Sequence, residues 1–246
     1  MAALTDHFVM SIAAPRKSGK SFFITSMMRA GLFDHFDYII IMCPTLNFND
    51  DYQEFVDRKN VTPIADVSRR EIDLLFEKQS KVMRKIKEQE RNPSMNQSQV
   101  KLYCPNTLLI LDDCVDSGVF SFKGSVDRIA ERGRHINMSA IISSQRQSAI
   151  SRSVRLNSDY FITFSPYSVS ELEQFLEQFV SKSYRLAIRQ KISEIYKIPY
   201  QFIVLDNSEK DVTRKLKTSN SELFIKGVMN VIQVSEQPIE ENKETI

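Results

Sequence analysis

The chain has 246 residues, of which 42% are hydrophobic and 26% charged, a balance typical of one large globular α/β domain. Its formal net charge of +2 is too small to identify a nucleic-acid-binding protein by itself. No apolar run reaches the roughly 18 residues of a membrane span, and the start of the chain lacks a signal-peptide pattern. Three cysteines far apart in sequence predict free thiols in a reducing compartment, and they form no zinc-ligand spacing with the three histidines.

The first predicted strand, at 8–13, runs into a polar loop, and a predicted helix begins after Gly-Lys-Ser. This layout is typical of a phosphate-binding loop, where backbone N–H groups and the helix dipole hold an anion. Lys20 can reach the β- and γ-phosphates, and the Ser21 hydroxyl can ligate Mg²⁺. Ala14 replaces the first glycine of the pattern, so we expect the loop to open slightly differently. The predicted nucleotide-binding residues are Pro15, Arg16, Lys17, Ser18, Gly19, Lys20, Ser21 and Phe22.

Short, nearly continuous apolar runs recur along the chain and suit strands buried on both faces. Helical stretches separate several of them, which favours parallel βαβ units. We therefore predict an α/β fold of the P-loop NTPase class (RecA-like, ASCE), with a mainly parallel central sheet flanked by helices. The predicted strands are 8–13, 38–43, 107–111, 139–143, 160–164 and 201–205, with helices at about 168–180 and 182–197 before the last.

An insertion at about 64–99 separates the second and third predicted strands. Its segment 69–91 predicts a charged amphipathic helix, which is either a solvated structural element or a surface for a neighbouring subunit or DNA. A polar loop is predicted at 92–99. We expect an ATPase domain over 1–206 and a C-terminal extension over 207–246, which ends in a disordered acidic tail at 235–246.

The third predicted strand ends in Asp112 and Asp113, at the carboxyl end where open α/β sheets bind ligands. We assign Asp112 to the Mg²⁺ shell and Asp113 to polarising the attacking water. Because side chains alternate along a strand, we expect the two carboxylates to diverge. Alone, the pair could equally be a strand-ending turn, but the preceding phosphate loop favours the metal site.

The strand at 139–143 ends just before Gln145, within a segment rich in arginine. If this strand neighbours the Asp112 strand, the Gln145 amide can sense the γ-phosphate or orient water. Five arginines and no acid lie between 132 and 158. They form either a solvated basic face or a contact for an anionic partner, namely the DNA backbone or the γ-phosphate held by a neighbouring subunit.

The order and spacing of these motifs resemble the viral genome-packaging ATPases of large DNA viruses and virophages, the poxvirus-type branch of the FtsK–HerA superfamily. The resemblance covers about residues 7–206. It rests on the phosphate loop, the Leu-Ile-Leu-Asp-Asp strand, the segments 133–137, 144–145, 154–157 and 160–162, and Cys-Pro-Thr at 43–45 with Asn47 and Tyr52.

This resemblance implies an ATPase that assembles as a homo-oligomeric ring and drives double-stranded DNA into a preformed capsid. It implies ATP and Mg²⁺ as cofactors, a capsid or portal-vertex protein as partner, and a location in the host cytoplasm at the viral factory and in the virion. Carried over by position, it places Gln145 at the sensor position and makes Arg134 and Arg146 candidates for a catalytic arginine acting on a neighbour. Asp113 departs from the glutamate of many ATPases.

Packaging must act on any DNA sequence, so phosphate contacts should dominate. The candidate DNA contacts are Lys123, Arg128, Arg152 and Arg155, while the basic cluster at 214–217 is either a further contact or part of a solvated tail.

Three other functions fit parts of the sequence. A DNA helicase or DNA-transfer motor would keep the ATPase and change its role. A P-loop nucleoside or small-molecule kinase could use the 64–99 insertion as a lid, although Asp113 and Gln145 favour water as the acceptor. A non-hydrolysing nucleotide-binding scaffold would account for Ala14.

Overall fold

The computed structural model describes residue 4 and residues 7–91, 102–114, 119, 124–166 and 168–233. Within these residues the chain forms one nine-stranded sheet with helices on both faces. The strands are β1 Val9–Ala13, β2 Tyr38–Met42, β3 Val61–Ile64, β4 Thr107–Asp112, β5 Met138–Ser144, β6 Tyr160–Phe164, β7 Phe202–Asp206, β8 Leu216–Ser219 and β9 Asn230–Val231. The helices are α1 Lys20–Arg29, α2 Asp50–Val56, α3 Arg69–Arg91, α4 Ser125–Arg132, α5 Arg152–Asn157, α6 Val169–Phe179, α7 Arg185–Ile195 and α8 Ser221–Ile225.

The strand order places β1 at the centre of the sheet. The order is β3-β2-β4-β5-β1-β6-β7-β8-β9. Strands β1 to β6 pair in parallel, whereas β7, β8 and β9 continue the sheet in antiparallel pairs. Because β1 lies between β5 and β6, the loop at its carboxyl end has neighbouring strands on both sides, which is where such sheets bind ligands.

Alternating side chains of the strands supply two separate cores. On β1, Met10 and Ile12 pack on the side of α1, α2 and α8, while Val9 and Ala13 pack on the side of α3 to α7. This alternation explains the continuous apolar runs, because each strand is covered on both faces. Among the helices in the described ranges, none combines the length and apolarity that crossing a bilayer requires.

The predicted secondary structure is confirmed for all six predicted strands to within one residue at either end. The helix predicted at 69–91 has the same bounds, and the two later helices are α6 and α7. The strands at 107–111 and 139–143 are neighbours, as the assignment of Gln145 requires.

Three strands were not predicted. β3 pairs with β2 at the sheet edge, and its sequence Val-Thr-Pro-Ile contains a proline that only an edge strand tolerates well. β8 and β9 form antiparallel pairs beyond β7, so the described part of the predicted extension, 207–233, continues the same sheet. The predicted polar loop at 92–99 and the predicted acidic tail at 235–246 lie outside the described residues.

Candidate nucleotide site

The loop between β1 and α1 has the geometry of a phosphate cradle. Ala14 extends β1, since its N–H donates to the Ser144 carbonyl at 3.0 Å. The Ser18 hydroxyl donates to the Pro15 carbonyl at 2.7 Å and closes a turn. Left-handed backbone occurs at Lys17 (φ 61°) and at Gly19 (φ 92°). The glycine that the loop needs is therefore Gly19, and alanine at position 14 is sterically acceptable.

Lys20 joins the loop to both predicted acids. Its ammonium lies 3.1 Å from Asp112 Oδ1 and 3.2 Å from Asp113 Oδ1. Burial by itself lowers the pKa of Lys20, but the two carboxylates outweigh burial and raise the pKa above its usual value. Lys20 therefore stays a cation, as phosphate binding requires.

Asp112 is almost completely buried and accepts hydrogen bonds from three hydroxyl groups. Ser21 and Tyr52 each donate to its Oδ2 at 2.9 Å, and Ser143 donates to its Oδ1. Burial by itself raises the pKa of Asp112, yet Lys20 and these donors outweigh it and hold the pKa below its usual value. The result is a fixed, ionised carboxylate beside the Ser21 hydroxyl.

Asp113 turns back toward the same site, which makes the prediction of diverging carboxylates wrong. The strand ends at Asp112, and the next residue has a left-handed backbone with φ 58°. This conformation interrupts the strand alternation, so both carboxylates reach Lys20. Gln145 Nε2 donates to Asp113 Oδ2 at 2.8 Å, and Arg16 Nε donates to Gln145 Oε1 at 3.1 Å.

These groups border one open cavity of about 1080 Å³ at the carboxyl end of β1. All eight predicted nucleotide-binding residues from 15 to 22 line it, together with Asp112, Asp113 and Gln145. A nucleotide site of ordinary size occupies about 300–1000 Å³. The cavity is therefore large enough for a nucleoside triphosphate.

The two candidate arginines lie at opposite ends of β5. Arg146 directly follows Gln145, which lines the cavity, and its own side chain is exposed. Arg134 precedes β5 in the short 3-10 segment Gly133–Ile136. Within one chain it therefore lies at the amino end of the strand, and the cavity lies at the carboxyl end.

Two of the predicted DNA contacts also make contacts within the chain. Arg128 donates to Asp73 at 2.6 Å and lies over the Phe76 ring, which ties α4 to α3. The Arg155 guanidinium donates to the carbonyls of Gln147 and Ile150.

The remaining predicted contacts differ in what the structure says of them. Arg152 is exposed, and Lys123 lies outside the described residues. In the 214–217 cluster, Lys217 lies 2.6 Å from Asp206 and is mostly buried, so it belongs to the fold rather than to a solvated tail.

Two residues that hold Asp112 were assigned no role from the sequence. Ser143 and Tyr52 come from β5 and α2, and both reach Asp112 through contacts between distant parts of the chain. Tyr52 is fully buried, and burial together with the Asp112 charge raises its pKa well above the usual value, so its hydroxyl remains a donor. The contact between Tyr52 and Asp112 joins positions 60 residues apart, so no local sequence pattern signals this role.

The oxygen donors at the site suit Mg²⁺. Ser21 and Asp112 present a hydroxyl and a carboxylate to the same point, and a hard cation prefers such oxygen ligands. No group of three histidine, cysteine or acidic side chains that could hold a metal occurs in the part of the chain that the structure describes. This sparse set fits Mg²⁺, which commonly uses one or two protein ligands plus substrate phosphates and water.

Comparisons with solved structures show the P-loop ATPase fold. The genome-packaging NTPase B204 of Sulfolobus turreted icosahedral virus 2, in complex with ATPγS, is 18% identical with a TM-score of 0.59, covering 88% of this chain and 98% of its own. B204, the DNA-packaging ATPase of Sulfolobus turreted icosahedral virus, is 19% identical with a TM-score of 0.60 and the same coverage. ATPases 2 and 3 of EssC from Geobacillus thermodenitrificans are 15% identical with a TM-score of 0.59, covering 95% of this chain and 41% of that one.

Sequence comparison identifies the family. No curated protein sequence matches the chain. The family model described as Poxvirus A32 protein, however, matches residues 2–221, which include every residue of the site described above. The chain therefore belongs to the poxvirus A32 family, the viral genome-packaging ATPases that its motif combination predicted.

Proposed function

We propose that this chain hydrolyses Mg·ATP and uses the energy to move double-stranded DNA into a viral capsid. The observation that carries the proposal is the convergence of Lys20, Asp112, Asp113 and Gln145 on one cavity beside the phosphate loop. A cation for phosphate, a buried carboxylate for metal and a second carboxylate held by an amide are the parts that NTP hydrolysis needs.

Lys20 acts as the phosphate-binding cation. Lys20 contacts both acids, so a triphosphate in the cavity would compete with them by offering it phosphate oxygens. The ammonium faces anionic oxygens before and after this exchange, which favours its charged form throughout. The backbone N–H groups of the loop then supply further donors to the phosphates.

Asp113 polarises the attacking water. The Gln145 amide fixes one carboxylate oxygen, and the exchange of Lys20 to phosphate frees the other to accept a hydrogen bond from water. Ser21 and Asp112 would hold Mg²⁺, which when bound neutralises charge on the phosphates. Because Asp112 is buried and Asp113 is partly exposed, the first is suited to hold metal and the second to meet water.

A neighbouring subunit supplies the catalytic arginine in this proposal. Arg146 follows the carboxyl end of β5 and Arg134 precedes its amino end, so the two imply different contacts in a homo-oligomeric ring. An arginine acting in trans contributes about 10³–10⁵ in rate in related phosphoryl-transfer enzymes. Mixing Lys20→Ala protein with Arg134→Ala or with Arg146→Ala protein should restore turnover only where a finger acts across subunits.

The DNA contacts are made to phosphates and not to bases, because packaging is independent of sequence. Arg152 is the described candidate that keeps its side chain exposed. The long helix α3, rich in lysine and arginine, is a second surface for DNA or a neighbouring subunit. A capsid or portal-vertex protein is the further partner, in the cytoplasm of the infected cell and in the virion.

The decisive experiment measures ATP turnover with and without duplex DNA, together with the oligomeric mass in solution. We expect turnover that rises with duplex of any sequence, and an assembly larger than a monomer. Lys20→Ala protein is the control for contaminating ATPase. Strand separation on a forked duplex would favour the helicase, and phosphate transfer to a nucleoside in place of water would favour the kinase.

A further inference from the structure

The nucleotide cavity extends to both sides of β1. On one side it reaches Asp113 and Gln145, at the ends of β4 and β5. On the other side it is lined by Phe164, Pro199, Tyr200 and the segment 220–222. The second group lies at the carboxyl end of β6 and beside the antiparallel strands β7 and β8, and it takes no part in the chemistry proposed above.

Strand register explains how this second wall reaches the site. Phe202 at the start of β7 pairs with Phe164 at the end of β6, and Ser219 at the end of β8 pairs with Phe202. The segment before β7 and the segment after β8 therefore lie at the same end of the strands as the phosphate loop. The cavity is therefore lined both by the predicted ATPase domain, 1–206, and by residues 220–222 of the predicted C-terminal extension.

The position of the acids sets the direction in which a nucleotide lies. The γ-phosphate must face Asp113 and Gln145, because these hold the water that attacks it. The phosphate loop holds the middle of the triphosphate. The sugar and base then extend away from β5, toward β6, β7 and β8.

Tyr200 lines the cavity on this side, next to the phosphate loop. A Cβ built on Gly19 would lie 3.5 Å from Tyr200 Cδ1, so the tyrosine ring stands against the phosphate loop. The side chain is 67% exposed, and its backbone has φ 60°. An exposed aromatic ring in a left-handed conformation is not explained by core packing, and such conformations concentrate at ligand sites.

We propose that Tyr200 forms the stacking wall of a purine-base subsite, with Asn220 and Glu222 on its polar rim. The inference rests on the proposed nucleotide binding and goes beyond it by naming the residues that recognise the base. An aromatic ring stacks on any base, and a purine offers the larger π-face.

The rim carries groups that complement a base edge or a ribose. Asn220 Oδ1 accepts the Leu223 N–H at 2.9 Å, which leaves the amide NH₂ as a donor. Glu222 is held by Lys226 in an exposed ion pair and retains acceptor positions on its carboxylate. The rim therefore offers one donor and one acceptor beside the ring.

The test separates base binding from phosphate binding. Equilibrium affinities for ATP and for inorganic tripolyphosphate are measured by calorimetry, with Mg²⁺ present, on the wild-type chain and on Tyr200→Ala, Tyr200→Phe and Tyr38→Ala. Tyr38 is an exposed tyrosine at the amino end of β2, away from the carboxyl ends of the strands where the cavity lies. It serves as the matched control.

We expect Tyr200→Ala to bind ATP at least about fivefold more weakly, because an alanine substitution at a stacking residue has an effect of this size or larger. Its affinity for tripolyphosphate should stay within about twofold of wild type, which also shows that the variant is folded. Tyr200→Phe should retain ATP affinity, since the ring and not the hydroxyl stacks. Tyr38→Ala should match wild type for both ligands.

Three results would overturn the subsite. Unchanged ATP affinity in Tyr200→Ala would do so, as would an equal loss for ATP and tripolyphosphate, which would mean that the ring only supports the loop. A wild-type chain that binds tripolyphosphate as tightly as ATP would remove the base subsite and leave the phosphate loop intact. A wild-type chain that binds neither ligand would contradict the proposed function, and this inference with it.

Discussion

Two buried carboxylate–lysine pairs lie on opposite sides of β1 and have different roles. Asp112 meets Lys20, from another segment of the chain, on the wall of an open cavity. Asp206 meets Lys217 across the antiparallel pair of β7 and β8, and neither residue lines that cavity. In both pairs burial by itself raises the carboxyl pKa, and in both the lysine and a hydroxyl donor outweigh it and lower the pKa.

The difference lies in what can replace the lysine. Lys20 borders the cavity, where the proposed triphosphate would compete for it, and Ser21, Tyr52 and Ser143 also donate to the Asp112 carboxylate. Lys217 does not line the cavity, and its second carboxylate neighbour, Glu209 at 3.9 Å, is also a residue of the fold, so its contacts support the fold. A buried ion pair is therefore informative about function only when a ligand can compete for one of its members.

Lys20→Ala gives the largest expected effect. Loss of the phosphate-binding cation should lower ATP turnover by at least about 10²-fold, the size of effect seen when one donor to a developing charge is removed. Mg·ATP should also lose its ability to raise the thermal unfolding midpoint, since stabilisation by a ligand requires binding. Turnover comparable to wild type would contradict the assignment of the phosphate loop.

Asp113→Asn should separate hydrolysis from binding. The asparagine keeps the size of the side chain and removes the base that polarises water, so turnover should fall by about 10²–10⁴-fold. Binding of Mg·ATP should persist because Asp112 and Lys20 are intact. It is measured as the increase that Mg·ATP causes in the thermal unfolding midpoint. If this variant also failed to bind Mg·ATP, Asp113 would be a metal-holding residue instead.

Lys217→Met tests the structural pair. Removing the partner of a buried, charged hydrogen bond should lower the free energy of unfolding by about 2 kcal/mol. Turnover per folded molecule should stay unchanged. Arg69→Met is the matched control, because Arg69 and Asp73 form a half-exposed pair on α3 whose contribution should be below about 1 kcal/mol.

Acidification should remove the difference between wild type and Lys217→Met. The folded pKa of Asp206 is lowered, so its pairing stabilises the fold at neutral pH. That contribution is present above the unfolded pKa of about 4 and is lost as the pH falls through the lowered folded value. A difference in unfolding free energy that persisted at the lowest pH of the folded range would mean that packing, and not charge, distinguishes the variants.

The same contrast explains how much the sequence could predict. The phosphate loop, Asp112 and Gln145 were predicted because each follows a short apolar strand, and parallel strands bring their carboxyl ends to one edge. The orientation of Asp113 was predicted wrongly, because a left-handed residue after a strand leaves no mark in the alternation of side chains. Local sequence patterns predict where a strand ends, but they do not predict the left-handed backbone conformation of the residue that follows.

The other wall of the cavity was not predicted because it depends on antiparallel pairing beyond β6. β8 reads Leu-Lys-Thr-Ser, with too little apolar sequence to indicate a strand, and Tyr200 lies in a connection with no motif. In the sequence, Tyr52 is marked only by its place in the family pattern. Its contact with Asp112 joins residues 60 positions apart, which no local pattern contains.

Tyr52→Phe is the smallest change and the finest test of the Asp112 network. It removes one of the three hydroxyl donors and keeps the ring that fills the core beneath α2. A hydrogen bond to a charged group contributes about 1.5–3 kcal/mol, and remaining donors compensate in part, so kcat should fall about tenfold. The Mg²⁺ concentration for half-maximal turnover should rise, while KM for ATP at saturating Mg²⁺ should change little.

Tyr196→Phe supplies the comparison that makes this result specific. Its hydroxyl donates to the Thr163 carbonyl at 3.0 Å and does not line the nucleotide cavity. Each variant loses one tyrosine hydrogen bond and should lose stability, but only Tyr52→Phe should change the response to Mg²⁺. Equal kcat and equal Mg²⁺ dependence in the two variants would mean that Tyr52 contributes to packing alone and that Ser21 and Ser143 suffice to position the carboxylate.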